Sequence, residues 1–138
     1  MNDKPVAIVT GSGTGIGTAC ARALAKEGFR VGLHFRKSAA SAQALQAELG
    51  DAFLLQADLA DITQVETLVN GIKEVAGRVD VLVNNAGLSI NADINSMKVE
   101  QFDEQRALTR GIWYLTKRAN RSRRSNAGMP CACRGTVR

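Results

Sequence analysis

Residues Thr10-Gly11-Ser12-Gly13-Thr14-Gly15-Ile16-Gly17 follow the apolar run Val6-Ala7-Ile8-Val9 and lead into a stretch of helical periodicity. A glycine-rich turn between a strand and a helix leaves backbone N–H groups bare at the helix N-terminus, where the helix dipole favours an anion. Glycine serves there because φ turns positive and because a phosphate must approach the backbone closely. The strict G-x-G-x-x-G spacing is absent, since Ile16 stands at the third glycine position and the pattern is T-G-x-x-x-G-x-G. A merely flexible turn is the competing reading. The strand–loop–helix context makes the stretch a nucleotide phosphate site.

Working outward, a helix is predicted from residue 15 to about 26, with Ile16, Ala19, Cys20, Ala23 and Leu24 as an apolar stripe facing a sheet. Gly28 follows it in the position of a helix-ending glycine. Residues 31–35 read as a second strand, 39–49 as a second helix and 52–56 as a third strand. A third helix starts near Asp61, where Asp61 and Gln64 have the spacing of a capping box. Its positions Val65, Leu68, Val69, Ile72 and Val75 keep the helical period. Residues 79–83 form a fourth strand ending in Asn84-Asn85-Ala86-Gly87. Strands alternating with helices mean parallel βαβ units with right-handed crossovers. The fold class is thus α/β, with a parallel sheet.

The second strand bears on cofactor choice. An NAD site of this kind places Asp or Glu about twenty residues past the glycines, where it bonds the ribose 2′-hydroxyl. That position is Phe35, and Arg36 and Lys37 follow it. A guanidinium suits a 2′-phosphate, because it offers a planar fork of charged donors. A solvated basic loop is the plain alternative. With the acidic residue missing, NADP(H) is expected over NAD(H).

These motifs resemble those of the short-chain dehydrogenase/reductase family, in the NADP-preferring form that includes 3-oxoacyl-carrier-protein reductases. Thr10, Gly11, Gly15 and Gly17 match the family's glycine motif, and Asp58-Leu59 its acidic-hydrophobic pair that holds the adenine ring. Asn84-Asn85-Ala86-Gly87 matches the N-N-A-G that lies beside the cofactor. The resemblance covers roughly residues 5 to 118 and implies a Rossmann-like doubly wound parallel sheet of order 3-2-1-4, truncated after its fourth strand and the following helix. The fourth strand then presents an unpaired apolar edge, a liability for aggregation or dimerisation. The resemblance implies cofactor contacts from Gly11, Ser12, Gly13, Thr14, Gly15, Ile16, Gly17, Arg36, Lys37, Asp58, Leu59, Asn85, Ala86 and Gly87 to NADP(H). It also implies hydride transfer between nicotinamide and a small-molecule carbonyl or alcohol, and a homo-oligomer as a possible assembly.

The family's chemistry relies on a Ser and a Tyr-x-x-x-Lys pair located beyond the fourth strand and its following helix. No catalytic residue is assigned in this chain, and it is expected to be inactive as a reductase. A non-catalytic nucleotide-binding fragment is the alternative. Tyr114 and Lys117 are spaced by three, within and just after the apolar-rich stretch 111–116, which reads as structural. Leu108 stands where the family carries an Asn that supports its catalytic Lys.

Charge divides the chain in two. Residues 1–104 carry all 13 acidic groups and a net charge of −4, whereas residues 105–138 carry +9 with no acidic group. Past residue 118 the apolar period gives way to an Arg-, Ser- and Cys-rich segment where the family has a fifth strand. The reading is therefore an incomplete dinucleotide-binding domain over residues 1–118 and a basic tail over 119–138, disordered or read out of frame. Such a tail binds nucleic acid weakly and without specificity through phosphates. Cys131 and Cys133 offer two thiolates, but His34 is the sole histidine and no metal site is expected. Cys20 is assigned to the core. Three cysteines, no N-terminal signal segment and no apolar run near eighteen residues point to the cytoplasm and to no membrane span.

Overall fold

In the computed structural model, residues 3–88, 93 and 95–124 are described. Eight elements follow in order: β1 (Val6–Val9), α1 (Gly15–Lys26), β2 (Arg30–Phe35), α2 (Ala39–Leu49), β3 (Ala52–Gln56), α3 (Ile62–Ala76), β4 (Val81–Val83) and α4 (Val99–Arg124). The strands pair in parallel in the order β3-β2-β1-β4. Among the described residues, no strand lies on the outer side of β4.

Strand side chains alternate between two helical layers, the signature of a sheet covered on both faces. Val6 and Ile8 of β1, with Phe53 and Leu55 of β3, pack against Val65, Leu68, Val69 and Ile72 of α3 and Leu115 of α4. On the other face Val9, Val31 and Leu33 meet Ala21 of α1 and Leu45 of α2. This is the expected doubly wound arrangement, and α2 and β3 have the expected bounds.

Three local expectations are corrected. The stripe on α1 is rotated: Ile16 is 75% exposed, Ala19 and Ala23 are exposed, and the buried face is Gly17 and Ala21, flanked by half-buried Cys20 and Leu24. Gly17 sets this rotation, because its Cα presses on the Gly11 carbonyl so closely that an added Cβ would lie 2.2 Å from that oxygen. Next, β4 begins at Val81 rather than 79. The Asp80 carboxylate accepts a hydrogen bond from the Val6 N–H at 2.8 Å, and the Asp80 N–H donates to the Val6 carbonyl. A side chain thereby takes one rung of the ladder. Finally, Asp61 caps α3 through the Thr63 N–H at 2.9 Å, but Gln64 reaches past Asp61 to accept from the Asp58 N–H at 2.8 Å. The helix cap and the Asp58 turn are thus one unit rather than a simple capping box.

The boundary expected at residue 118 falls inside α4, which runs on to Arg124 with Ala119 packed against the core. Residues 125–138, with the Cys131 and Cys133 thiols, lie outside the described residues. No helix among the described residues is long and apolar enough to cross a membrane.

Helix α4 sits on the β3–α3 turn through Gly111, whose added Cβ would fall 1.5 Å from the Leu59 carbonyl oxygen. Alanine is the better helix former by about 1 kcal/mol, so an unconstrained helix would gain from the change. Here α4 must instead lift off the turn, at a cost above the usual overpacking range. Gly111→Ala is therefore expected to destabilise the chain by about 3 kcal/mol or more in urea unfolding.

Candidate functional site

A cleft of about 400 Å³ opens beyond the carboxyl ends of all four strands. Its wall takes Gly11, Gly13 and Thr14 from the loop after β1, and residues 34–38 from the end of β2. Residues 57–60 join from the turn after β3, residues 85–88 from the end of β4, and Glu104 and Leu108 from α4. Crevices at strand carboxyl ends, where the winding direction reverses, are the ligand sites of open parallel sheets.

The glycine loop is shaped by backbone geometry. Gly11 and Gly15 take φ of 64° and 55°, a region open to glycine and costly for residues with a Cβ. Thr14 caps α1 without spending its hydroxyl on the helix, and the first turn of α1 carries no acidic side chain. The bare N–H groups and the dipole of α1 therefore face no competing anion of their own.

One hydroxyl ties this loop to the N-N-A-G turn. Fully buried Thr10 accepts hydrogen bonds from the Asn85 and Ala86 N–H groups, both at 3.0 Å, and its Oγ1 donates to the Val83 carbonyl at 3.2 Å. Asn85 replies through Nδ2, which donates to the Thr10 and Gly11 carbonyls at 3.1 Å each. Gly17 closes the knot, since a Cβ there would also lie 2.5 Å from Asn85 Nδ2.

Ten of the expected contact residues line the cleft: Gly11, Gly13, Thr14, Arg36, Lys37, Asp58, Leu59, Asn85, Ala86 and Gly87. Four do not. Ser12 is buried behind the loop, its N–H and hydroxyl both donating to the His34 carbonyl. Gly15 and Ile16 are exposed at the start of α1, and Gly17 is buried in the knot. Of the Asp58-Leu59 pair, Leu59 is held in the core, while the Asp58 carboxylate accepts from the Ala60 N–H at 2.9 Å and stands on the cleft wall. Arg36 and Lys37 are exposed and form no salt bridge among the described residues.

Sequence reading passed over His34, Ser38, Leu88 and Glu104. The signal for His34 was a titratable ring inside an apolar strand, directly before Phe35. It is 3% exposed, and its Nδ1 accepts from the Gly11 N–H at 3.1 Å while Nε2 lies 2.9 Å from the Ala57 carbonyl. Only the neutral ring protonated on Nε2 satisfies both partners. Tyr114 and Lys117 are occupied elsewhere: the Tyr114 hydroxyl donates to Glu66 on α3 at 2.7 Å, and the Lys117 ammonium lies 4.8 Å from the Trp113 ring centre. Neither lines the cleft. Among the described residues, no group of three or more His, Cys, Asp or Glu could hold a metal ion.

The knot makes a direct prediction. Thr10→Val keeps the shape but leaves the Ala86 N–H without an acceptor, at about 1–3 kcal/mol, while the Asn85 N–H keeps the Val83 carbonyl at 3.1 Å. Urea unfolding should show a loss of about 1–3 kcal/mol, and Thr10→Ser, which keeps the hydroxyl, should lose clearly less.

The family model of the short chain dehydrogenases matches residues 5–117. A 3-oxoacyl-[acyl-carrier-protein] reductase of Synechocystis is 37% identical over 117 residues, covering 81% of this chain and 47% of that protein. Elsinochrome reductase 1 of Elsinoe fawcettii is 36% identical over 122 residues, covering 85% of this chain and 46% of that protein. Among solved structures, a short chain dehydrogenase from Burkholderia cenocepacia in complex with NADP superposes with a TM-score of 0.81 at 34% identity, covering 85% of this chain and 50% of that one. A metagenomic short-chain oxidoreductase in complex with NADP gives 0.82 at 30% identity, over 88% of this chain and 57% of that one. The chain spans about half the length of the curated relatives it matches. With the family model covering most of its length and the glycine loop, Asp58 turn and N-N-A-G turn gathered on one cleft, this chain belongs to the short chain dehydrogenase family.

Proposed function

We propose that the cleft binds NADP(H) and that these residues supply the cofactor-binding part of an oxidoreductase acting on a small-molecule carbonyl or alcohol. The observation that carries this reading is the pair of cations on the cleft wall. Arg36 and Lys37 stand exposed beside the glycine loop, without a carboxylate partner among the described residues. Phe35 occupies the position where an NAD site has its acid, so a ribose 2′-hydroxyl finds no acceptor there and a 2′-phosphate finds two donors. The NADP-bound relatives support the same choice.

In this reading Gly11, Gly13 and Thr14, with the N-terminus of α1, hold the pyrophosphate. Asp58 borders the adenine, and Asn85, Ala86 and Gly87 border the nicotinamide side. Bound NADP(H) supplies a hydride donor or acceptor. The described residues supply binding and orientation rather than proton transfer, because Tyr114 and Lys117 are engaged away from the cleft and Leu108 offers no hydrogen bond.

Calorimetry with NADP⁺ tests the binding. Heat of binding is expected for the 138-residue chain and is expected to vanish in Gly13→Trp, which puts an indole into the cleft wall beside Ser38. A folded, unmutated chain that gives no heat at millimolar cofactor overturns the reading. Arg36→Asp should weaken NADP⁺ by about ten- to a hundredfold, the worth of one charge-assisted contact of roughly 1.5–3 kcal/mol, and should improve NAD⁺. Equal losses for both would make Arg36 structural. NADPH oxidation with a 3-oxoacyl thioester is expected to stay at background for protein of confirmed 138-residue mass.

A further inference from the structure

Among the described residues, His34 is the one buried polar side chain with an ionisable ring, at 3% exposure, and the cofactor contacts above make no use of it. Its ring bridges two segments that line the cleft. On one side Nδ1 accepts from the N–H of Gly11, the first glycine of the loop; on the other the Nε2–H donates to the carbonyl of Ala57, directly before Asp58. The His34 backbone carbonyl also accepts from the Ser12 N–H and hydroxyl, so side chain and main chain grip the same loop. We propose that His34 is a positioning residue for the nucleotide: its neutral, Nε2-protonated ring holds Gly11 in its binding conformation, and a single proton on Nδ1 releases the loop and lowers cofactor affinity.

The chemistry of the step is simple. Protonated imidazole is a donor at both nitrogens, so a proton on Nδ1 would point at the Gly11 N–H, donor against donor. The buried amide then loses its acceptor and gains a repulsive neighbour. Gly11 carries a positive φ and packs against Ala86 and Asn85. Displacing it therefore disturbs the phosphate loop and the N-N-A-G turn together.

Burial lowers the His34 pKa from its ordinary 6.5, and the Ala57 carbonyl and the nearby Asp58 charge oppose that shift in part. The charged groups that border the ring's surroundings are Asp58 after β3, Arg36 and Lys37 after β2, and Glu104 on α4. The loop after β1 brings none. Because the folded chain favours the neutral ring, the binding-competent form is fully populated above pH 6.5. It is lost as the pH falls below that value through the pKa of the folded state.

The inference about affinity rests on the nucleotide-binding reading, and two measurements separate them. The first needs neither ligand nor variant. In the ¹⁵N-labelled 138-residue chain, the Gly11 amide and the His34 ring nitrogens should titrate together as the pH is lowered from 8.0, with one midpoint below 6.5. Above that midpoint Nε2 should carry the proton. A Gly11 amide that stays unchanged while the His34 ring nitrogens titrate overturns the proposal.

The second measurement is calorimetry with NADP⁺ over the same range on the unmutated chain and on His34→Asn, whose amide oxygen replaces the Nδ1 acceptor and does not titrate. The 2′-phosphate itself titrates near pH 6, so the ratio of the two dissociation constants is the quantity to read. Below the His34 midpoint, affinity of the unmutated chain relative to His34→Asn should fall by about tenfold per pH unit, one proton being linked. A ratio that does not change with pH overturns the positioning role. Absence of heat from both chains at every pH overturns the nucleotide-binding reading instead, and the Gly11 amide then decides by itself whether His34 holds the loop.

Discussion

The Thr10 hydroxyl is the constraint on which the rest of this half-sheet depends. A parallel sheet brings the ends of β1 and β4 side by side but leaves the Asn85 and Ala86 N–H groups, two and three residues past β4, with no strand to bond. Thr10 takes both of them, from Asn85 and Ala86, while donating to Val83. In a fully buried position each such bond excludes an orphaned polar group. Asn85 then returns two bonds to the carbonyls of Thr10 and Gly11. A strand pairing that ends abruptly becomes a rigid corner, and the cleft is built against that corner.

Close backbone approaches extend the same rigidity to the helices. Gly17 lets α1 start against the Gly11 carbonyl, and Gly111 lets α4 rest on the Leu59 carbonyl. The first approach fixes the direction of the α1 N-terminus, whose dipole faces the cleft. The second holds the Asp58 turn, which Gln64 of α3 also grips through the Asp58 N–H. Three segments far apart in the chain therefore present their polar groups to one space with little freedom to rearrange. Such preorganisation is what a nucleotide site needs, because ordering loops at the moment of binding would lower its affinity.

Much of this was legible beforehand. The rhythm of apolar strands and amphipathic helices determined the parallel sheet, the resemblance implied its order, and ten of the fourteen expected contact residues line the cleft. Failures came where a neighbour overrode local pattern. Ile16 and Ala19 match a helical stripe as well as Ala21 does, and only contact between Gly17 and the Gly11 carbonyl settles which face turns inward. Ser12 belongs to the glycine motif yet points into the protein, because the His34 carbonyl accepts both of its donors. The fourth strand starts late because Asp80 replaces a backbone rung with its side chain.

The sequence by itself determined the layers, the chain order of the strands, and the placing of glycines, cations and Asn85 at strand ends. Those features follow from spacing within a few residues, where backbone sterics and periodicity act. Only the tertiary structure decided which loop residues face the cleft, that Tyr114 is bound to Glu66 instead of the site, and that His34 joins Gly11 to Ala57. Each of these depends on a contact between residues more than twenty positions apart. No local propensity carries that information: it arises when packing brings a donor and an acceptor from distant segments together.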